Sequence, residues 1–190
     1  MTKIILLTGP KHSGKTTACQ RFVKKARHAD MRIGGIVSPG RYDSRGKKTG
    51  IEVIDVATAK QRLLAVTVSD PQQATIGEYQ FCPETMRWAL ERVLSALVLP
   101  LDVIIIDEIG PLEFDHEGGF APALDRIPTS RAKIAILVLR KSLASRAQQE
   151  LAKLHPTRMR LCRENRDKVP ARLYGAVCNL LSATGNQSTN

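Results

Sequence analysis

The sequence predicts an α/β fold of the phosphate-loop (P-loop) type: three layers, with a mainly parallel central sheet and a β-hairpin insertion. Three observations predict it. Continuous aliphatic runs at residues 3–8, 102–106 and 132–139 read as strands buried on both faces. Segments with helical spacing alternate with these runs, as in βαβ units. Between the first run and the first helix lies Gly9-Pro10-Lys11-His12-Ser13-Gly14-Lys15-Thr16, which matches G-x-x-x-x-G-K-[ST] in the strand–loop–helix setting it requires.

The elements follow in order. Residues 3–8 form the first strand, and the glycines after it let the backbone curl so that its amides face phosphate oxygens. Residues 17–28 carry Ala18, Phe22 and Ala26 at helical spacing, and the start of this helix adds partial positive charge. Residues 32–38 read as a strand stopped by Pro39-Gly40, followed by a polar, turn-rich segment at 41–48. Residues 50–56 and 62–66 alternate like short antiparallel strands, which makes them the hairpin insertion beside the parallel sheet. Residues 83–99 place Met86, Leu90, Val93, Leu94 and Leu97 on one helical face, with proline in the first turn. Residues 102–107 form a central parallel strand; a loop to Gly119 and a short helix through Ile127 come next. A strand at 132–139, a helix at 142–154, a short strand at 158–161 and a helix from about 168 to 181 complete the series. Residues 1–184 are expected to form one domain, and 185–190 a disordered polar tail.

Composition narrows the class. At 190 residues, 43% hydrophobic and 25% charged, the chain suits one globular α/β domain. No apolar run approaches the roughly 18 residues of a membrane span. Only four consecutive aliphatics precede Thr8-Gly9, so no secretory signal and a cytoplasmic location are expected. Cys19, Cys82, Cys162 and Cys178 form no C-x-x-C pair and read as reduced, core or half-buried thiols. The net charge of +11 gathers at 21–32, 41–48 and 126–172, whereas acidic residues concentrate at 102–125. Such charge suits polyphosphate ligands and solubility, and it leaves nucleic acid a disfavoured partner because aromatics, only 4%, offer no stacking platform. Oligomeric state is not set by these features.

The chemistry follows from the loop. Gly9 through Thr17 are the nucleotide-binding residues, with Lys15 reaching the β- and γ-phosphates and the Thr16 hydroxyl ligating Mg²⁺. Asp107 closes the 102–107 strand at the ligand-binding edge, where an acid holds Mg²⁺ opposite Thr16. Glu108 follows directly and is the candidate general base that orients water at the γ-phosphate. Glu113 either positions substrate or Mg²⁺-bound water, or is a solvated loop acid. Arg140, beside Lys141, ends the 132–139 strand at the proper edge to stabilise developing charge; Arg41 and Arg45 compete for that role. Lys15, Glu108 and Arg140 are thus the catalytic candidates.

Four segments carry a family likeness: residues 9–17, residues 45–55, Ile106-Asp107-Glu108-Ile109-Gly110-Pro111-Leu112-Glu113, and Arg163-Glu164-Asn165-Arg166-Asp167. Together they resemble the small P-loop nucleoside-triphosphatases, similar to the archaeal and bacterial THEP1 proteins and the human cancer-related nucleoside-triphosphatase. The resemblance implies a RecA-like sheet and Mg²⁺-dependent hydrolysis of ATP, GTP and other triphosphates to the diphosphate and phosphate, with broad base specificity. It also implies that Asn165 and Arg166 lie near the base or ribose; the residues alone read as a polar loop or a helix N-cap. This chain departs from the family at Lys11-His12-Ser13, where members commonly carry a glycine within the loop. Two further readings fit the same loop: a kinase whose acceptor hydroxyl replaces water, with the hairpin as a lid, and a nucleotide-gated binder of RNA or protein.

Overall fold

Alternate residues along each aliphatic run point to opposite faces, so a run that is apolar throughout must be covered on both sides. The computed structural model, which describes residues 1–115 and 118–185, shows this arrangement. The elements are β1 (Lys3–Gly9), α1 (Lys15–His28), β2 (Ile33–Val37), β3 (Gly40–Tyr42), β4 (Lys48–Asp55), β5 (Gln61–Thr67) and β6 (Tyr79–Phe81). They continue with α2 (Pro83–Leu97), β7 (Val103–Ile109), α3 (Pro111–Asp115), α4 (Ala121–Arg126), β8 (Ile134–Arg140), α5 (Ala144–Glu150), β9 (Thr157–Arg160) and α6 (Val169–Gly185).

One sheet joins all the strands in the order β6-β5-β4-β2-β7-β8-β1-β9, with β3 attached to β4. From β2 to β9 every neighbour is parallel, as the aliphatic runs predict. Ile4 and Leu6 of β1 face one layer with Ile104, Ile106 and Leu137, under Ala89, Val93 and Leu97 of α2 and Ala123 of α4. Ile5 and Leu7 face the other with Ile105, Ile136 and Val138, under Cys19, Phe22 and Ala26 of α1 and Leu173 and Val177 of α6. At the centre, Gly35 has φ +92°, and an added Cβ would meet the Ile105 carbonyl oxygen at 2.0 Å. That close approach lets β2 seat against β7 while the Gly35 carbonyl accepts from the Val56 amide.

The hairpin is larger than expected and is continuous with the sheet. β4 pairs antiparallel with β2 through Ile36↔Asp55 and Val37↔Ile54. The segment predicted as turn-rich at 41–48 supplies the end of β3, and β6 adds a strand that the sequence did not announce. Register slips at Arg41/Tyr42 and Ile51/Glu52 interrupt the period of two on which a strand reading depends. The helix expected at 142–154 is shorter, with 3₁₀ turns at each end of α5. The tail expected at 185–190 lies, from 186 on, outside the described residues, while Gly185 closes α6. Cys19 is buried and the other three cysteines are half-buried, all free of disulfides. Among the described residues no helix is long and apolar enough to cross a membrane.

Candidate functional site

β1 ends at Gly9, and the chain turns through the phosphate loop into α1. Gly14 takes φ +100°, a left-handed conformation suited to glycine, and caps α1 with no side-chain hydrogen bond, which leaves the first amides of the helix available to an anion. His12 also has a positive φ, 60°, within the Lys11-His12-Ser13 stretch where the family resemblance expects a glycine. Its imidazole pKa is lowered by burial and by the Lys11 and Lys48 charges. Lys15 is buried and donates to the Gly9 carbonyl at 3.1 Å and the Pro10 carbonyl at 2.8 Å. Burial lowers its pKa, and the Glu108 and Asp107 charges oppose that shift.

The loop forms one wall of a cavity of about 590 Å³, with Asp107, Glu108 and Arg140 lining it as well. Lys11 to Thr17 face it directly, whereas Gly9 and Pro10 contribute through the carbonyls that hold Lys15. Asp107 is fully buried; its Oδ2 accepts from the Ser38 amide at 3.1 Å, and the Ser38 hydroxyl donates to the Asp107 carbonyl. Burial and the neighbouring Glu108 charge push the Asp107 carboxyl up to about 7, against the Ser38 amide, the Thr16 hydroxyl and Lys15.

Asp107 Oδ1 is buried and has no hydrogen-bond partner among the described residues. A divalent cation would satisfy it and return the carboxyl to its charged form. Mg²⁺ prefers hard oxygen ligands and is commonly held by one or two protein groups, with waters and substrate phosphates completing its shell. Thr16 and Asp107 fit that pattern.

The remaining candidates separate by position. Arg140 is half-buried at the end of β8, and its Nε has no hydrogen-bond partner among the described residues. Lys141, Arg41 and Arg45 are exposed, and none of them lines the cavity. Glu113 is not a solvated acid: its carboxylate accepts from the Gly110 amide at 2.7 Å and the Phe120 amide at 3.0 Å, pinning the segment after β7. Burial raises its pKa despite those bonds. Asn165 accepts from the Cys162 amide at 2.9 Å and donates to the Arg160 carbonyl at 3.0 Å, so it holds the turn between β9 and α6. Neither it nor the exposed Arg166 lines the cavity.

Four further residues belong to the site: Ser38, Lys48, Glu78 and Tyr79. Ser38 anchors Asp107, and the Lys48 and Lys11 ammonium groups stand over the Tyr79 ring at 5.0 and 5.6 Å. Lys11 also pairs with Glu78, tying the phosphate loop to the turn before β6. Lys48 carried a signal in sequence only as one member of a basic run.

Residues 4–174 match a family model described as NTPase. The chain is 32% identical over 146 residues to the nucleoside-triphosphatase THEP1 of Methanothermobacter thermautotrophicus, spanning 77% of this chain and 82% of that protein. With its namesake from Methanopyrus kandleri it shares 28% identity over 180 residues, 93% of this chain and 96% of that one. Among solved structures, that of a human cancer-related nucleoside triphosphatase superposes with a TM-score of 0.71 at 20% identity, covering both chains completely. THEP1 from Aquifex aeolicus gives 0.64 at 22% identity, covering 92% of this chain and 98% of that one. At these identities the two structures share the fold.

Proposed function

The chain belongs to the NTPase family, matched over residues 4–174, and on that premise we propose that it hydrolyses nucleoside triphosphates to diphosphate and phosphate, with Mg²⁺ and with broad base tolerance. The observation that carries this reading is the convergence of Lys15, Asp107, Glu108 and Arg140 on one cavity beneath the phosphate loop. Lys15 and the α1 amides bind the β- and γ-phosphates. Thr16 and Asp107 would hold Mg²⁺, which supplies neutralising charge for the transferred phosphoryl group. Glu108 orients the attacking water and accepts its proton, and Arg140 faces the charge that develops on the γ-phosphoryl oxygens. The nucleoside extends towards the connection between β9 and α6, with Asn165 setting the turn and Arg166 beside it. No enclosed base pocket is required there, which agrees with base tolerance.

The test is phosphate release from ATP, GTP, CTP and UTP, with Mg²⁺ or with EDTA, for the natural protein and Glu108→Ala. Release from all four is expected, abolished by EDTA and reduced roughly 10²–10⁴-fold in Glu108→Ala with nucleotide affinity retained. Loss of affinity in Glu108→Ala would assign that residue to binding instead, and release from a single nucleotide would remove base tolerance.

A further inference from the structure

The cavity is wider than a phosphate site needs, and its second half has a different character. Across the sheet the order runs from β9 and β1 through β8 and β7 to β2, then into the antiparallel group β4, β5 and β6. The phosphate loop follows β1, Arg140 ends β8, and Asp107 and Glu108 lie near the end of β7. Beyond them the cavity wall carries Ile51, Leu64, Tyr79, Phe81, Met86 and Phe120, alongside the charged Lys48 and Glu78. The metal-binding and general-base carboxylates therefore stand between the phosphate loop and this wall. A triphosphate whose γ-phosphate meets Glu108 points its reacting end at the wall and its nucleoside the other way, towards β9. A nucleotide base seated on the wall would reverse that polarity.

Two polar features stand at this wall, one buried and one half-buried. Tyr79 lines the cavity and is only 6% exposed; its buried hydroxyl has no hydrogen-bond partner within normal geometry among the described residues, and burial and the adjacent Glu78 carboxylate raise its pKa. The Lys48 ammonium stands over the same ring, close enough to Glu108 to feel its charge. We propose that this compartment is the subsite of a second substrate, a flat-ringed organic molecule with a primary hydroxyl, which receives the terminal phosphoryl group in place of water. The ring packs on the apolar side chains of the wall, and the Tyr79 hydroxyl bonds a polar ring substituent. The acceptor oxygen forms the new O–P bond as the bond from Pγ to the β,γ-bridging oxygen breaks. The electron pair leaves with the nucleoside diphosphate, and the hydroxyl proton passes to the Glu108 carboxylate. This inference rests on the triphosphate orientation proposed above.

The experiment follows label from γ-labelled ATP into inorganic phosphate and into organic phosphate, with benzyl alcohol, thymidine and adenosine as acceptors. Labelled organic phosphate from at least one of them is expected. Leu64→Arg, which sets a charge in the wall, lowers the ratio of organic to inorganic phosphate by about tenfold or more, the equivalent of 1.4 kcal/mol. Leu64→Met, close in volume, retains the ratio within about threefold and guards against a misfolded variant. Phosphate released only to water, with no labelled organic product from any acceptor, overturns the proposal and leaves the hydrolase reading standing. Competition of thymidine or adenosine with ATP also overturns it, because the wall would then hold the nucleotide's own base. No transfer to water or to an acceptor overturns both readings.

Discussion

A histidine at φ 60° is held where most side chains meet their own carbonyl oxygen, a conformation that costs about 1–3 kcal/mol outside glycine. His12→Gly should remove that strain while enlarging the freedom of the unfolded chain, so its unfolding free energy should stay within about 1 kcal/mol of the natural value. His12→Val, branched at Cβ, should lose more than about 1 kcal/mol in the same denaturation experiment. Arg140 bears on catalysis instead. If it faces the developing charge, Arg140→Ala should lower turnover by as much as roughly 10³–10⁵ while binding of a non-hydrolysable triphosphate persists. Equal losses in turnover and binding would make it a ground-state phosphate contact. At this scale the phosphate loop and Asp107-Glu108 were legible, because each is a local pattern tied to one strand end. Glu113 was not, since its partners Gly110 and Phe120 are set by how the chain after β7 turns back. The choice among Arg41, Arg45 and Arg140 was likewise hidden, because cavity access depends on where β3 lies in the sheet.

Individual elements depend on a few polar ties at their ends. Asp102 precedes β7 and receives the Arg32 amide at 3.0 Å and the Lys133 ammonium at 2.9 Å, which ties together the starts of β2, β7 and β8. Burial alone would raise its pKa, but the Arg32 amide, the Lys133 ammonium and the Arg32 guanidinium bring it down to about 2. With the folded value below the unfolded 3.8, the stabilisation is present above pH 4 and is lost as pH falls towards 2. Asp102→Asn should therefore be less stable at pH 7, by about 1–3 kcal/mol, and should lose less than the natural protein between pH 4 and 2. Thermal unfolding of both proteins across that window measures the difference. The parallel strands were legible as elements because both faces are apolar, and the antiparallel group was legible only in part. β4 and β5 alternate well enough to be seen, whereas β3 and β6, each three residues long, gain their identity from partners distant in sequence.

For the whole molecule, ligand binding and folding are one equilibrium. A non-hydrolysable triphosphate with Mg²⁺ at 100 times its dissociation constant should add about 2.7 kcal/mol to the unfolding free energy. EDTA should remove most of that gain, as read from melting temperatures in the two conditions; a gain insensitive to EDTA would show that the nucleotide binds without the cation. The charge of +11 adds a long-range attraction for a polyanionic ligand that weakens as salt rises. The two borders of the sheet have a separate consequence. It ends in β6, of three residues, on one side and in β9, of four, on the other, and β9 carries Arg158 and Arg160. A long bare strand is a template on which another chain can polymerise, and a row of eight strands from β6 to β9 would otherwise present two of them. A short border on one side and a short, basic one on the other deny a neighbouring copy that foothold, so a broad aliphatic sheet can remain dispersed at high concentration.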